Sequence, residues 1–133
     1  MNIRPTLTVS DFMSSELLYL NEGSRLEMAK IPILELGVTA VPVLDEEHRP
    51  IGVLSLRDFA RTDRRPQMSS PARSIRADAM LTEAASVLAE ESLHHLVVVD
   101  AAGRAVGMLS ALDVLRAVVG LPAATLRRPF ASS

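Results

Sequence analysis

The sequence predicts a mixed α/β fold built from two copies of one small unit. The chain has 133 residues, of which 48% are apolar, and this length can bury a real core in one domain or two very small ones. Sliding the chain by 55 residues aligns Met13–Arg61 with Met68–Arg116, and 14 of the 49 aligned positions are identical without a gap. Each copy shows helical spacing followed by two short apolar runs, which indicates a helix and a hairpin.

The first helix of each copy is predicted from apolar residues that recur at helical spacing. Ser24 and Glu27 have the spacing of a capping box at the first helix, and Asp78 is the expected cap of the second. Pro32 lies inside the first helix, where it removes a backbone hydrogen bond and should produce a kink. The apolar residues are Leu26, Ala29 and Ile33 in the first copy and Leu81, Ala84 and Leu88 in the second.

A β-hairpin is expected after each of these helices. Its strands are predicted at Ala40–Leu44 and Ile51–Leu54, then at Leu96–Val99 and Val106–Leu109. Pro42 lies within a predicted strand, so its missing N–H should face an edge or an unpaired position. The polar turns that join the strands are Asp45–Arg49 and Asp100–Arg104.

A short helix is predicted after each hairpin, beginning near Ser55 and near Ser110. The second of these helices should end at Gly120, which Pro122 follows. The repeats therefore span residues 7–62 and 66–120, with a polar linker from Arg61 to Gln67 between them. Residues 121–133 have no periodicity, and we expect a mobile C-terminal tail or a segment that adds to a partner.

Composition excludes several classes of function. The net charge of −2 does not suit a basic nucleic-acid-binding module, and 3% aromatic residues do not suit single-strand binding by stacking. The absence of cysteine excludes disulfides, thiolate catalysis and cysteine-ligated metals. Without an apolar leader or a run of roughly 18 apolar residues, we expect a cytoplasmic protein with no membrane span.

The Ser-x-x-Asp motif at the end of each hairpin is the most informative feature for function. It occurs as Ser55 with Asp58 and as Ser110 with Asp113. One interpretation is structural, because a serine N-cap and an acidic residue in the first turn favour a helix start. The other is an anion site, where free N–H groups and the hydroxyl meet a phosphate and the carboxylate accepts hydrogen bonds from ribose hydroxyls. Both remain open on local pattern alone.

The whole arrangement resembles a pair of CBS domains, also called a Bateman module. A helix, a hairpin with Pro-Val-Leu-Asp or Val-Val-Val-Asp in one strand, and Gly-x-x-Ser-x-x-Asp all occur twice, from about Leu7 to Gly120. The resemblance implies a β-α-β-β-α fold for each repeat and packing of the two repeats about a pseudo-two-fold axis. It also implies two clefts, in which proteins of this family often bind AMP, ADP, ATP or S-adenosylmethionine.

The resemblance also assigns roles to individual residues. Ser55 and Ser110 would contact phosphate, and Asp58 and Asp113 would hold the ribose. The family completes each cleft with the start of the middle strand of the opposite repeat. The other implied residues are Val53 and Met108 near the adenine or ribose, Val38, Thr39 and Ala40 facing Asp113, and Leu93, His94 and His95 facing Asp58.

Charged residues near these motifs differ between the copies. Arg57 could neutralise phosphate in the first cleft or be a solvated helix charge, whereas Leu112 occupies its position in the second. His94 or His95 could approach a phosphate or be structural or surface residues. Because adjacent strand residues point to opposite faces, the two histidines cannot readily share a metal ion, and no metal site is predicted.

The predicted function is a regulatory module that senses an adenosyl nucleotide and signals to a partner protein. No nucleophile–base constellation supports catalysis, so neither an enzyme nor a required cofactor is predicted. The alternative is a structural module that dimerises with empty clefts. A homodimer is expected through the helices that follow the hairpins. The candidate apolar contacts on these helices are Phe59, Val114, Val118 and Val119.

Overall fold

The computed structural model describes residues 3–60 and 67–124, which form two three-stranded sheets with helices. The predicted mixed α/β fold is confirmed, and both hairpins form at the expected positions. The linker residues 61–66 and the tail residues 125–133 lie outside the described residues. In chain order the elements are α1 (Val9–Phe12), β1 (Leu20–Asn21), a 3₁₀ turn (Leu26–Ala29), α2 (Lys30–Leu36), β2 (Ala40–Leu44), β3 (Pro50–Ser55), α3 (Leu56–Ala60), β4 (Ser74–Arg76), α4 (Leu81–Glu90), β5 (His95–Val99), β6 (Ala105–Ser110) and α5 (Ala111–Val118).

The described chain divides into two compact units that do not coincide with the two halves of the sequence. The first-repeat unit holds residues 18–60 and 67–72, and the second-repeat unit holds residues 3–17 and 73–124. Helix α1 belongs to the second-repeat unit, because the Val9 N–H donates to the Ala79 carbonyl at 2.9 Å and the Ser10 N–H to the Ala77 carbonyl at 3.0 Å. The opening segment of the chain therefore completes the unit formed by the second repeat.

The two sheets have the same topology. In each, a short first strand runs parallel to the middle strand, and the middle strand pairs antiparallel with the last, in the orders β1-β2-β3 and β4-β5-β6. The first-repeat core consists of Ala29, Ile33, Val41, Val43 and Leu54. The second-repeat core consists of Val9, Phe12, Ile75, Leu81, Ala84, Leu88, Leu96, Val98, Leu109, Val114 and Ala117.

The predicted caps of the first helices are wrong. The 3₁₀ turn has Arg25 as its N-cap residue without a side-chain cap, and α4 likewise has Met80 as an uncapped N-cap residue. Asp78 instead forms an ion pair with Arg76 at 2.8 Å. Ser24 lies one residue before the N-cap position, so it does not cap the first free N–H groups as an N-cap residue does.

Pro32 is accommodated by a change of helix type rather than by a kink in a continuous α-helix. The chain forms the 3₁₀ turn at Leu26–Ala29 and becomes α-helical only from Lys30. Pro32 is then the third residue of α2, where its missing N–H belongs to the first turn of the helix. Helix α2 ends at Gly37, whose positive φ of 72° is the left-handed conformation that glycine adopts without strain.

Pro42 occupies an unpaired position of the middle strand, as predicted. Its cross-strand neighbour Val53 exchanges both of its backbone hydrogen bonds with Ser69 on the other side of β3, so Pro42 and Val53 form a non-hydrogen-bonded pair. The nitrogen of Pro42 therefore faces the β1 side. Strand β1 pairs only with Val43 and Leu44, so it does not reach the proline.

Candidate functional site

The junction between β6 and α5 forms a complete capping box. The Asp113 N–H donates to Ser110 Oγ at 3.1 Å, and the Ser110 N–H donates to Asp113 Oδ2 at 2.8 Å. The serine and the carboxylate of the second motif are therefore held together at the start of a helix, and both are half-buried. The structural interpretation of Ser-x-x-Asp is satisfied here by geometry.

The first copy of the motif is built in a related way at the junction between β3 and α3. The Ser55 N–H donates to Asp58 Oδ2 at 2.7 Å, and Ser55 Oγ lies 3.3 Å from the same oxygen. Among the residues that the structure describes, Oδ1 of Asp58 and Oδ1 of Asp113 accept no hydrogen bond. Each carboxylate thus keeps one oxygen that could accept hydrogen bonds from a ligand.

Cross-strand pairing places three of the predicted site residues of each repeat on one face of its sheet. In the second-repeat unit His95 lies opposite Ser110, and Val97 lies opposite Met108. Directly opposed residues of antiparallel strands share a face, so these four side chains and the nearby Asp113 form one surface. The matching residues of the first-repeat unit are Ala40 opposite Ser55 and Pro42 opposite Val53.

The start of each middle strand contacts the helix that follows its own hairpin. The Thr39 carbonyl accepts from the Leu56 N–H at 3.2 Å, and the His94 carbonyl accepts from the Ala111 N–H at 2.9 Å. Each strand start therefore lies beside the serine of its own repeat. The expected placement of these segments opposite the carboxylate of the other repeat stays a prediction.

His95 gives the second-repeat site an ionisable group that the first-repeat site lacks, because Ala40 occupies the aligned position. Burial lowers the pKa of the His95 imidazole, and the nearby His94 acts in the same direction. The carboxylate of Asp113 opposes this effect and is therefore electrostatically coupled to His95.

Three other candidates lie less centrally in this arrangement. Val38 packs against the core of the first-repeat unit, and Leu93 packs against the core of the second-repeat unit. Arg57 is exposed on α3, beside Asp58 in sequence. These positions give Val38 and Leu93 a packing role and leave Arg57 accessible.

The Met-Ser-Ser segments, which were not among the predicted site residues, border the site in both units. Ser14 exchanges two backbone hydrogen bonds with Met108 at 2.8 and 3.0 Å, and Ser69 does the same with Val53 at 2.8 and 3.0 Å. The identity of residues 13–15 with residues 68–70 in the repeat alignment was the available signal.

Close contact with these segments explains the glycine of each Gly-x-x-Ser-x-x-Asp motif. A Cβ on Gly107 would lie 2.5 Å from the Ser14 carbonyl oxygen, and one on Gly52 would lie 2.5 Å from Met68 Sδ. The absence of a side chain at these two positions therefore allows a second segment of the protein to approach the last strand of each hairpin.

The apolar residues proposed for a dimer contact are mostly used inside the units. Val114 is a core residue, and Val118 and Phe59 pack against the cores of their units. The prediction is therefore wrong for Val114, which is buried, whereas Phe59 and Val118 are only partly buried and their role in a dimer stays a prediction. Only Val119, the residue directly after α5, is exposed, and helical spacing places it on the same side as Leu112 and Leu115, which are exposed on α5.

Within residues 3–60 and 67–124 no cluster of three or more His, Cys, Asp or Glu side chains could hold a metal ion. No helix of that part of the chain is long and apolar enough to cross a membrane. The groups described at the two sites are hydroxyl, carboxylate and backbone groups, with an imidazole in the second-repeat unit.

Among curated proteins, a homoserine O-acetyltransferase from Methanohalophilus mahii is 32% identical over an aligned length of 120, which covers 86% of this chain and 25% of that protein. An uncharacterised protein, MK0525, from Methanopyrus kandleri is 25% identical over 93 residues, 62% of this chain and 47% of that protein. The chain thus spans a quarter to a half of the length of these relatives.

Solved structures with the same fold include CBSX2 in complex with AMP, with a TM-score of 0.72 and 28% identity over 85% of this chain and 96% of CBSX2. The cytosolic domain of the Mg²⁺ channel MgtE in complex with ATP gives a TM-score of 0.65 and 32% identity, over 78% of this chain and 46% of that one. A family model for the CBS domain matches residues 9–65 and 68–120. The duplicated hairpin–helix unit is therefore a CBS domain, and the chain belongs to the CBS domain family as a tandem pair.

Proposed function

We propose that this protein is a regulatory module that binds an adenosyl ligand at its Ser-x-x-Asp sites. The observation that carries the proposal is that each repeat holds a serine and a carboxylate together at the start of a helix. In each repeat this serine lies opposite the first residue of the middle strand, on one face of the sheet. Two relatives above 25% identity support the choice of ligand, since one is described in complex with AMP and the other in complex with ATP.

In this proposal Asp58 and Asp113 accept hydrogen bonds from ribose hydroxyls through Oδ1 while Oδ2 continues to cap the helix. Ser55 and Ser110 lie at the helix starts, where a phosphate would meet a hydroxyl and the positive helix ends. Arg57 adds positive charge beside the first site. We therefore expect a phosphorylated ligand to favour the Asp58 site.

The test substitutes Asp58→Asn and Asp113→Asn separately and titrates AMP and ATP by calorimetry. A hydrogen bond to a charged group contributes about 1.5–3 kcal/mol, so affinity at the altered site should fall by roughly 10-fold or more. Asp45→Asn and Asp100→Asn are matched controls, because these carboxylates lie in the turns at the other end of the same hairpins. The controls should bind AMP and ATP as the unaltered protein does.

A purely structural module is the competing function, and the local capping hydrogen bonds are the observation in its favour. If both carboxylates only cap helices, the Asn variants will melt slightly lower while any nucleotide affinity stays unchanged. Ligand binding raises the melting temperature through RT ln(1 + [L]/Kd), so no shift with a panel of AMP, ADP, ATP and S-adenosylmethionine would contradict the proposal.

We also propose a homodimer that uses the exposed apolar row of α5, formed by Leu112, Leu115 and Val119. Closed two-fold pairing would bury this row. Light scattering at tens of micromolar protein should give the dimer mass, and Leu115→Lys should reduce it because a buried unpaired charge is costly. A monomer mass for the unaltered chain would contradict this assembly.

The regulated target is a separate protein or domain in this proposal, and the module itself is not catalytic. The acetyltransferase relative does not change this view, because the chain matches only a quarter of that protein. We place the module in the cytoplasm, where adenine nucleotides are available to it. A nucleotide incubated with the protein should be recovered unchanged, as chromatography can establish.

A further inference from the structure

His95 is held beside the start of α5 by the backbone of the second-repeat unit. The His94 carbonyl accepts from the Ala111 N–H at 2.9 Å, and this bond flanks the cross-strand pair of His95 and Ser110. The two residues therefore form a non-hydrogen-bonded pair, in which side chains lie closest, with Cβ atoms roughly 4.5–5.5 Å apart. The imidazole and the Ser110 side chain are thus neighbours on one face of the sheet.

Burial and two nearby titratable groups act on the charge of this imidazole. Burial holds the pKa of His95 below its ordinary value of 6.5, and the adjacent His94 lowers it further, whereas the carboxylate of Asp113 opposes both. At pH 7.5 the imidazole is therefore mainly neutral. A proton becomes easier to add when another negative charge comes near.

The neighbouring strands have their own charges already engaged. Arg73, which directly precedes β4, donates two hydrogen bonds to Glu91. On the far side of β6, the uncharged Met13–Ser14 segment pairs through its backbone. In the described residues of this unit, the groups that act on the charge of His95 are therefore those supplied by α5 and by the residue before β5.

A ligand phosphate at the start of α5 would change this balance. In the proposed binding mode the phosphate lies at Ser110, and an opposite charge within about 4–6 Å raises the pKa of a histidine by about one unit or more. Because the imidazole then holds a proton more readily in the complex than in the free protein, binding and protonation favour each other. The first-repeat site has Ala40 at the aligned position and Arg57 nearby, which stays charged throughout this pH range.

We propose that His95 couples the second-repeat site to pH: the imidazole takes up a proton when a phosphorylated adenosyl ligand binds, so this site binds the ligand more tightly as the pH falls from 7.5 to 5.5. The inference rests on the proposed function, because it needs a ligand phosphate at Ser110. A pKa raised by one unit corresponds to about a 10-fold gain in affinity between the two protonation states. Falling pH therefore moves the ligand from the first-repeat site toward the second.

The first experiment counts the protons by calorimetry. AMP is titrated at pH 7.5, 6.5 and 5.5, in pairs of buffers with different heats of ionisation, into Asp58→Asn with and without His95→Gln. Glutamine keeps a polar side chain of similar size that gains no proton. We expect greater proton uptake with His95, and an affinity ratio between the two proteins that rises by about 10-fold as the pH falls. The AMP phosphate itself titrates near pH 6, but its contribution is common to both proteins.

Two controls separate the phosphate and the imidazole. Adenosine lacks a phosphate, so its binding should show no uptake that depends on His95. His48→Gly is the matched control, because it removes an imidazole from the first-repeat turn and copies Gly103, which has the same left-handed conformation. Its proton uptake on AMP binding should equal that of the unaltered protein.

The second experiment transfers the effect to the first-repeat site. Ala40 lies opposite Ser55 as His95 lies opposite Ser110, so Ala40→His places an imidazole at the equivalent position. In an Asp113→Asn background, Ala40→His should give AMP binding that tightens as the pH falls. The same background without this change should show no tightening.

The outcomes distinguish this inference from the proposed function. Equal proton uptake with and without His95 would overturn the inference while AMP binding itself upheld the proposed function. AMP binding that Asp58→Asn abolishes and Asp113→Asn leaves unchanged would also overturn it, because the ligand would then occupy only the first-repeat site. No AMP binding by the unaltered protein at any of the three pH values would contradict the proposed function and the inference together. Circular dichroism of each variant at each pH establishes that the fold is intact.

Discussion

The two repeats have the same hairpin but different first strands. In the second repeat the Val97 N–H donates to the Arg73 carbonyl at 3.0 Å, and β4 runs over three residues beside β5. In the first repeat Pro42 occupies the position of Val97, and β1 has only two residues. The comparison shows that a single missing N–H accompanies a shorter strand while the rest of the sheet is unchanged.

The turns show the opposite behaviour, because their sequences differ while their geometry is retained. Asp45 Oδ1 accepts from two backbone N–H groups at 2.9 Å, and Asp100 Oδ1 accepts from the two aligned groups at 2.9 and 3.0 Å. His48 has a φ of 68° where the other copy has Gly103 with a φ of 83°. One aspartate is thus sufficient to hold the turn even when the left-handed residue is not glycine.

The largest difference should appear in the two cores. Leu54 and Leu109 are aligned and fully buried, but among the side chains that the structure describes the second-repeat core cluster contains eleven buried residues and the first-repeat cluster five. Leu109→Ala should cost about 3–5 kcal/mol and Leu54→Ala about 2–3 kcal/mol, because a larger core leaves a less collapsible cavity. Urea unfolding measures both. Equal losses would show that the two cores are packed equally well.

The next largest effect concerns the glycines beside the Met-Ser-Ser segments. Gly107→Ala would press a Cβ against the backbone carbonyl of Ser14, whereas Gly52→Ala meets first the side chain of Met68, which can move. We expect a loss of about 2–3 kcal/mol for Gly107→Ala and about 1 kcal/mol for Gly52→Ala, within the range for overpacking. Thermal unfolding of the two variants compares them directly, and a larger loss for Gly52→Ala would reverse the assignment.

A smaller effect is expected when the second repeat is given the proline of the first. Val97→Pro removes the hydrogen bond to the Arg73 carbonyl, and the aligned Pro42 shows that this backbone position accepts proline. The expected loss is about 0.5–1.5 kcal/mol, the net contribution of one hydrogen bond. Faster amide exchange should be confined to β4 and its partner. A loss of the whole sheet would mean that the bond anchors the strand order.

The smallest effect is a dependence on pH that arises from His95, which has Ala40 as its aligned residue in the first repeat. Burial lowers the pKa of His95 below its ordinary value of 6.5, so the unfolded chain binds a proton more readily than the folded chain. Stability is therefore full above that value and falls as the pH drops through 6.5 toward the lower folded pKa. His95→Ala, which copies Ala40, should remove part of the fall between pH 7.5 and 5.5 in urea unfolding.

The ion pair of Arg73 and Glu91 and the turn carboxylate of Asp100 titrate in a separate window. Their hydrogen bonds lower the pKa values of Glu91 and Asp100 below 4.5 and 3.8, so their contributions disappear only in more acidic solution. An identical pH profile for His95→Ala and the unaltered protein would assign the acid sensitivity to carboxylates alone.

The sequence was sufficient to predict the parts of the fold that depend on local pattern. Ala40–Leu44 was predicted to the residue, because a short apolar run bounded by a helix end and an Asx turn has few alternatives. The caps at Ser24 and Asp78 were wrong, since motif spacing does not specify which residue is the last outside the helix. The sequence also did not predict that Val114 faces the core, because it locates the start of a helix only approximately and the start decides which side chains face inward.

By itself, the sequence determined the duplication, which is visible as identical residues at one offset. It also determined the two hairpins and the Ser-x-x-Asp junctions, because short apolar runs, turns and helix starts depend on a few neighbouring positions. Only the tertiary structure decided that α1 and the Met-Ser segment at residues 13–14 complete the second-repeat unit. It likewise decided that Gly107 is needed for a backbone contact with Ser14 and that His95 lies opposite Ser110. The physical reason is that hydrogen bonds and steric contacts join residues far apart in the chain, and local propensity carries no information about them.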